Sequence, residues 1–229
     1  YQEIVCSLHV VCNATRYSMS QVNFNSTSSI TATDLGPSSS LQLMFAKLQL
    51  ELSETAKSQA LERMEYISDQ QEEQKLVSSL LNEARQAQAD AKAGLGNDAE
   101  KTATFNVPKK DSNGNVMTDD NGNIIYEKTR KESVPKGNNA TFMSQEMVDY
   151  MELHGLSMDK TGNNYSHSAE EWDVAITSLE ARLEELGTDT QQQMVYIQDY
   201  MGQYNSYLQG ANTQISNANQ TLTSLARGQ

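Results

Sequence analysis

The residues of this chain most suited to chemistry are two acidic, glycine-bearing runs. They are Asp111-Ser112-Asn113-Gly114-Asn115 and Asp119-Asp120-Asn121-Gly122-Asn123. Carboxylates and amides around a glycine suggest a calcium loop. An EF-hand loop needs oxygen ligands at positions 1, 3 and 5, glycine at 6 and glutamate at 12. Counted from Asp111, glycine falls at position 4 and position 12 is Gly122; counted from Asp119, glycine again falls at position 4. The spacing fails for calcium and suits tight hairpin turns, where Asn-Gly supplies positive φ. The three histidines, His9, His154 and His167, fall in no zinc-ligand spacing. No phosphate-binding glycine loop and no nucleophile elbow is present. Glu170–Glu171 and Glu184–Glu185 are adjacent carboxylates and read as solvated helix faces, because acid–base work needs partners across a cleft. The sequence therefore assigns no catalytic, cofactor or metal residue, and a non-enzymatic protein is expected.

Composition narrows the field further. The chain has 229 residues, a formal net charge of −13 and 37% hydrophobic residues. Elongated helices need less core per residue than a globule, because each buries only a stripe. The acidity argues against nucleic acid as a partner: the one basic knot, Lys128-Thr129-Arg130-Lys131, is flanked by Glu127 and Glu132. Cys6 and Cys12 are the only cysteines, so the rest of the chain carries no disulfide framework. No apolar run reaches the ~18–20 residues of a membrane helix. Residues 1–18 differ in character from the segment that Met19 opens, and read as an upstream extension or an ordinary disordered arm.

Elements can be placed from period and punctuation. Residues 1–40 are expected to form a disordered arm, and Ser39 or Ser40 can cap the next helix. Residues 41–93 contain no Gly or Pro and read as one helix, with Gly94 and Gly96 ending it. Its apolar stripe includes Leu41, Phe45, Leu48, Leu52, Met64, Ile67 and Leu81, and Gln70, Gln71 and Gln74 interrupt it. Thr102–Val107 and Ile124–Thr129 favour strands, so residues 97–142 form a polar, β-prone, exposed insert that folding does not require. Ser144 caps a short helix over 145–153, with Met147, Val148 and Met151 on its inner face. Gly155 stops that helix, and a loop containing Gly162, Asn163 and Asn164 comes next. Ser168 and Glu171 form a capping box for a helix to Leu186, with Trp172, Ile176, Leu179 and Leu183 inward. Gly187 is expected to end it, dividing the short helices of 143–187 from a terminal helix in 188–229.

That terminal segment carries an unbroken heptad seam: Met194, Ile197, Met201, Tyr204, Leu208, Ala211, Ile215, Ala218, Leu222 and Leu225. The positions around it are Gln, Asn, Ser and Thr. No Asp, Glu, Lys or Arg lies between Met201 and Ala226. Charged flanking positions normally fix partner choice in coiled coils. An amide-rich back without them tolerates several neighbours.

The order of these parts resembles the hydrophilic translocator family of bacterial type III secretion systems, the EspA/SseB-like filament and needle-tip proteins. The resemblance covers residues 20–229 in layout. It rests on the short helix Ser144-Gln145-Glu146-Met147-Val148-Asp149-Tyr150-Met151 and on the heptad helix ending Asn219-Gln220-Thr221-Leu222-Thr223-Ser224-Leu225. It implies a mainly α fold: a long antiparallel coiled-coil hairpin of the N- and C-terminal helices, 41–96 and 188–229, with a small helical and β-prone insert. It also implies a secreted protein of the bacterial surface that forms the tip or filament of a secretion needle. Only in the light of this resemblance is the charge-poor Ser/Thr/Asn segment of the 1–40 arm export-signal-like. The implied partners are a second copy, the needle protein, hydrophobic translocators and a cytoplasmic secretion chaperone. An intracellular coiled-coil adaptor or a flagellin-like secreted filament protein stands as the alternative.

Overall fold

The computed structural model describes residues 40–95, 98–159 and 164–228. The expectations for the 1–39 arm, Cys6, Cys12, His9, Ser39, Gly96, Gly162 and Asn163 lie outside the described residues. The elements are α1 (Leu41–Ala93), β1 (Lys101–Pro108), β2 (Tyr126–Val134), β3 (Thr141–Phe142), α2 (Gln145–Leu153), β4 (Ser166–His167) and α3 (Trp172–Arg227). The protein is mainly α, with long N- and C-terminal helices packed on each other and a small β insert.

The chain divides into two compact units. In the described residues, one unit holds the start of α1 to Glu54 and the end of α3 from Asn205. The other holds residues 55–204.

α1 begins where Ser40 O accepts the Met44 amide at 3.0 Å and ends at Gly94, whose φ of 64° favours glycine. α2 is capped as expected: Ser144 Oγ accepts the Met147 amide at 3.2 Å. The capping box also forms: the Ser168 amide donates to Glu171 Oε2 at 2.7 Å, and the Glu171 amide donates to Ser168 Oγ at 3.4 Å.

Gly187 does not end the helix that Ser168 caps. α3 is a single helix of 56 residues that runs through it. An interior glycine costs a helix only ~1 kcal/mol, which packing on either side readily exceeds. Leu186 is buried immediately before it and Gln193 soon after. The division between short helices ending at 187 and a separate terminal helix is corrected accordingly.

The core of the 55–204 unit gathers Val77, Leu80, Leu81 and Ala84 of α1, Met147, Val148 and Met151 of α2, and Trp172, Ala175, Ile176, Leu179 and Leu186 of α3. Thr141 locks three of its elements together. Its Oγ1 donates to Ala87 O at 2.9 Å and accepts from Trp172 Nε1 at 2.8 Å. Trp172 is thereby buried with its one donor satisfied.

β1 and β2 pair antiparallel, from Lys101↔Val134 to Val107↔Lys128. The second strand shares Tyr126–Thr129 with the Ile124–Thr129 segment expected from β-propensity, but starts two residues later and runs on to Val134. Pairing with β1 selects the stretch from Tyr126 to Val134, while Ile124 and Ile125 close the turns instead. Between the strands the chain folds into two tight loops rather than a regular meander, with single bridges Lys110↔Val116 and Thr118↔Ile124. Asp111 Oδ1 accepts the Asn113 and Asn115 amides, and Asp119 Oδ1 accepts those of Asn121 and Asn123. Gly114 and Gly122 take φ of 89° and 83°. Both acidic runs are thus hairpin turns of one type. Among the described residues no group of three or more His, Cys, Asp or Glu is placed to hold a metal.

The insert is not merely a surface appendage. Phe105 belongs to the core and meets Tyr165 edge-on at 5.0 Å. Ala103 and Val107 pack against the same cluster. The strand period explains the anchoring: Ala103, Phe105 and Val107 share one face, and Thr102, Thr104 and Asn106 share the exposed one.

Candidate assembly interface

The inward seam of α3 is set by its first turns. Trp172, Ile176, Leu179, Leu183 and Leu186 point into the core. Alternating steps of three and four residues carry that face on to Thr190, Gln193, Ile197, Tyr200, Tyr204, Tyr207, Ala211, Gln214 and Ala218, all buried or half-buried. The seam expected from the sequence shares Ile197, Tyr204, Ala211 and Ala218 with it. Tyr200 and Met201, Tyr207 and Leu208, and Gln214 and Ile215 are half-buried alike. At the remaining pair burial chooses Gln193, which is buried, over Met194, which is exposed. The cause is the unbroken passage through Gly187, which carries the phase of the Trp172–Leu186 face into the second half. Polar residues at such positions cost stability and fix register.

Met201, Leu208 and Ile215 are half-buried, while Met194 is exposed, as are Val195 and Tyr196. Beyond Ala218 the stripe continues to Leu222 and Leu225, which are 60% and 65% exposed.

α1 shows the same division. Ile67 and Leu81 are buried and Met64 half-buried, as expected. The expected first stripe is not internal: Leu41, Phe45, Leu48 and Leu52 are exposed, Leu41 by 67%, and Met44 joins them. The inward face here is Ala46, Leu50 and Ser53. At 3.6 residues per turn the two faces lie roughly 140° apart. Small residues face inward, so this segment approaches α3 closely. Gln49 side-chain atoms occupy the space a Cβ on Gly210 would need, the nearest at 2.5 Å.

Polar ties join α1 and α3 where the glutamines interrupt the apolar stripe. Arg63 Nη1 donates to Gln193 Oε1 at 3.1 Å, Tyr66 Oη to Asp189 Oδ2 at 2.7 Å, and Gln74 Nε2 to Thr190 Oγ1 at 3.1 Å. Next to them Glu73 Oε1 accepts from Arg182 Nη2 and from Tyr150 Oη, each at 2.7 Å. Burial pushes the Glu73 carboxyl up, but the bonds from Arg182 and Tyr150 outweigh it and hold it below its ordinary value. Burial raises the Tyr150 hydroxyl. Sequence patterning does not reveal this network; Gln70, Gln71 and Gln74 are its only visible trace, as breaks in a stripe.

The chain matches no protein-family model, no curated protein and no solved structure. Among the described residues no helix is long and apolar enough to cross a membrane. The exposed apolar residues at the start of α1 and the end of α3, both in the same unit, form the candidate interface, and their chemistry is that of helix-on-helix contact. Large apolar side chains recur at heptad spacing, with amides and hydroxyls around them on α3.

Proposed function

We propose that this chain is an extracellular structural protein that assembles through its long helices as the tip or filament of a type III secretion needle. In that role it is a scaffold for delivery of translocators and effectors and performs no catalysis. The observation that carries the reading is the set of large apolar residues left outside the fold at heptad spacing: Leu41, Phe45, Leu48 and Leu52 on α1, and Leu222 and Leu225 on α3. Exposed apolar stripes of this kind mark helix-partner surfaces. The missing charges on the second half of α3 remove the repulsion that keeps identical helices apart.

α1 and α3 form an antiparallel hairpin in this reading. Its support is the order of the cross-helix bonds within the 55–204 unit: Arg63 with Gln193, Glu73 with Arg182, Arg85 with Glu180, and Gln88 with Asp173. The partner number falls along α3 as the residue number rises along α1. The expected partners are further copies of the chain, the needle protein, hydrophobic translocators and a cytoplasmic chaperone that covers the exposed stripes before export. A filament needs a contact between copies that does not close into a ring.

The test is imaging. Culture supernatant of a producing strain should hold the protein on needle tips or in filaments, and that of an export-deficient strain should hold none. A protein retained inside cells in both strains overturns the reading and favours an intracellular coiled-coil adaptor.

A further inference from the structure

Among the described residues, His167 is a buried polar group that the fold leaves incompletely satisfied. It lies on β4 with no exposed surface. Its Nε2 sits 3.2 Å from Met143 Sδ, a weak acceptor. Its Nδ1 has no hydrogen-bond partner among the described residues and lies 3.9 Å from Asp159 Oδ2. Trp172 meets the imidazole edge-on at 5.4 Å.

The position is strategic. Met143 leads directly into Ser144, the cap of α2, and its amide donates to Tyr165 O at 2.9 Å. His167 is followed by Ser168 of the capping box and then by Trp172 at the head of α3. The β3–β4 ladder holds only two residue pairs, Thr141↔His167 and Phe142↔Ser166. One imidazole therefore sits where the starts of two helices are clasped together.

A neutral ring fits this place. An imidazolium would present two N–H donors, one to a thioether and the other to a carboxylate beyond hydrogen-bond reach. The charged groups acting on the ring are Asp159 from the loop before β4, Glu171 from the capping box and Glu132 from β2. Glu132 is itself engaged by Arg130 and by the Tyr165 amide.

We propose that the β3–β4 clasp is an acid-operated catch, in which protonation of His167 parts β4 from Met143 and frees the junction between α2 and α3. The apolar face of α2, with Met147 and Met151, is then uncovered. The inference stands independently of the secretion reading, since it concerns only the fold.

The sign is set by burial. Burial pulls the His167 pKa below 6.5, and Asp159, Glu171 and Glu132 restore only part of it. The neutral ring's contribution is complete above pH 6.5 and is lost as pH falls below that value. His154 is the other described histidine, and burial lowers its pKa too. It stacks on Tyr150 at 4.3 Å and faces Glu73 at 3.8 Å, so the test must separate the two.

Trp172 is the only tryptophan of the chain and touches the ring directly, so it reports the event. Tryptophan emission and near-ultraviolet circular dichroism of the full chain are followed from about pH 7.5 to about 4.5. We expect a reversible transition with its midpoint below 6.5. It should vanish in His167→Gln and persist in His154→Gln. In Asp159→Asn it should move to lower pH, because a carboxylate that favours the imidazolium is gone. Unchanged emission across the range overturns the proposal, as does the same transition in His167→Gln. Should His167→Gln fail to fold, proton NMR titration of the wild-type histidines decides. A His167 resonance titrating together with the tryptophan signal supports the catch, and one titrating at the ordinary value with no tryptophan change overturns it.

Discussion

The two compact units use the same two helices in opposite ways. In the 55–204 unit α1 and α3 meet α2 and the β ribbon, and large side chains turn inward: Leu80, Met147, Met151, Trp172 and Leu179. In the other unit the buried residues are mostly small, Ala46, Ser53, Ala211 and Ala218, with Leu50 the largest. There the large residues, Phe45, Leu48, Leu222 and Leu225, face outward. A large residue inside contributes ~1.5–3 kcal/mol of hydrophobic stabilisation, and an alanine contributes far less. Fold stability is therefore concentrated in the 55–204 unit. The apolar side chains of the other unit remain available to a neighbour.

The largest effect expected from breaking this contrast is at Trp172 and Phe105. Trp172→Ala should lower stability by about 3–5 kcal/mol, measured by urea unfolding. Phe105→Ala should cost nearly as much, because the β insert is anchored through that ring. A Phe105→Ala protein of unchanged midpoint would show the ribbon to be dispensable after all.

A smaller loss is expected at the polar tie. Glu73→Gln should cost about 2 kcal/mol at neutral pH, since it leaves Arg182 and Tyr150 around an uncharged amide. Glu73 is held below its usual value of 4.5, so its contribution is complete above that pH and is lost as pH falls through the folded value. The gap between wild type and variant should accordingly close in acid. A gap that widens there is the contrary outcome.

How much of this is legible in the sequence depends on which signals are local. The limits of α1 and α2, both caps and the two Asn-Gly turns are local, and all can be read from residue types. Residues 41–93 stand out because no Gly or Pro interrupts them. The phase of α3 is not local. It is fixed by Trp172 and Leu179 against residues distant in sequence, and Gly187 hides the continuity that carries it forward. Restarting the helix after Gly187 places Met194 inside and Gln193 outside; the fold reverses them. The stripe of Leu41, Phe45, Leu48 and Leu52 is visible, but period alone cannot say whether a stripe faces its own chain or a neighbour. The Glu73–Arg182–Tyr150 tie joins three helices and leaves no pattern in sequence.

Continuity through Gly187 gives the next, smaller effect. No atom lies within 4 Å of the place a Cβ would take there. Gly187→Ala should therefore raise stability by about 0.5–1 kcal/mol, seen as a higher unfolding midpoint. A destabilised variant would mean that the helix needs its glycine.

The smallest effect on folding should accompany the largest effect on assembly, and this pairing tests the central claim. Sedimentation velocity across a concentration series is compared for the wild type and a Leu48→Asp/Leu225→Asp variant, with thermal unfolding of both measured at low concentration. Both residues are exposed, so the variant's stability should stay within about 0.5 kcal/mol of wild type. Its larger species should disappear while those of the wild type grow with concentration. A wild type that remains monomeric throughout, or a variant that assembles equally well, contradicts the assignment of these residues to an assembly surface.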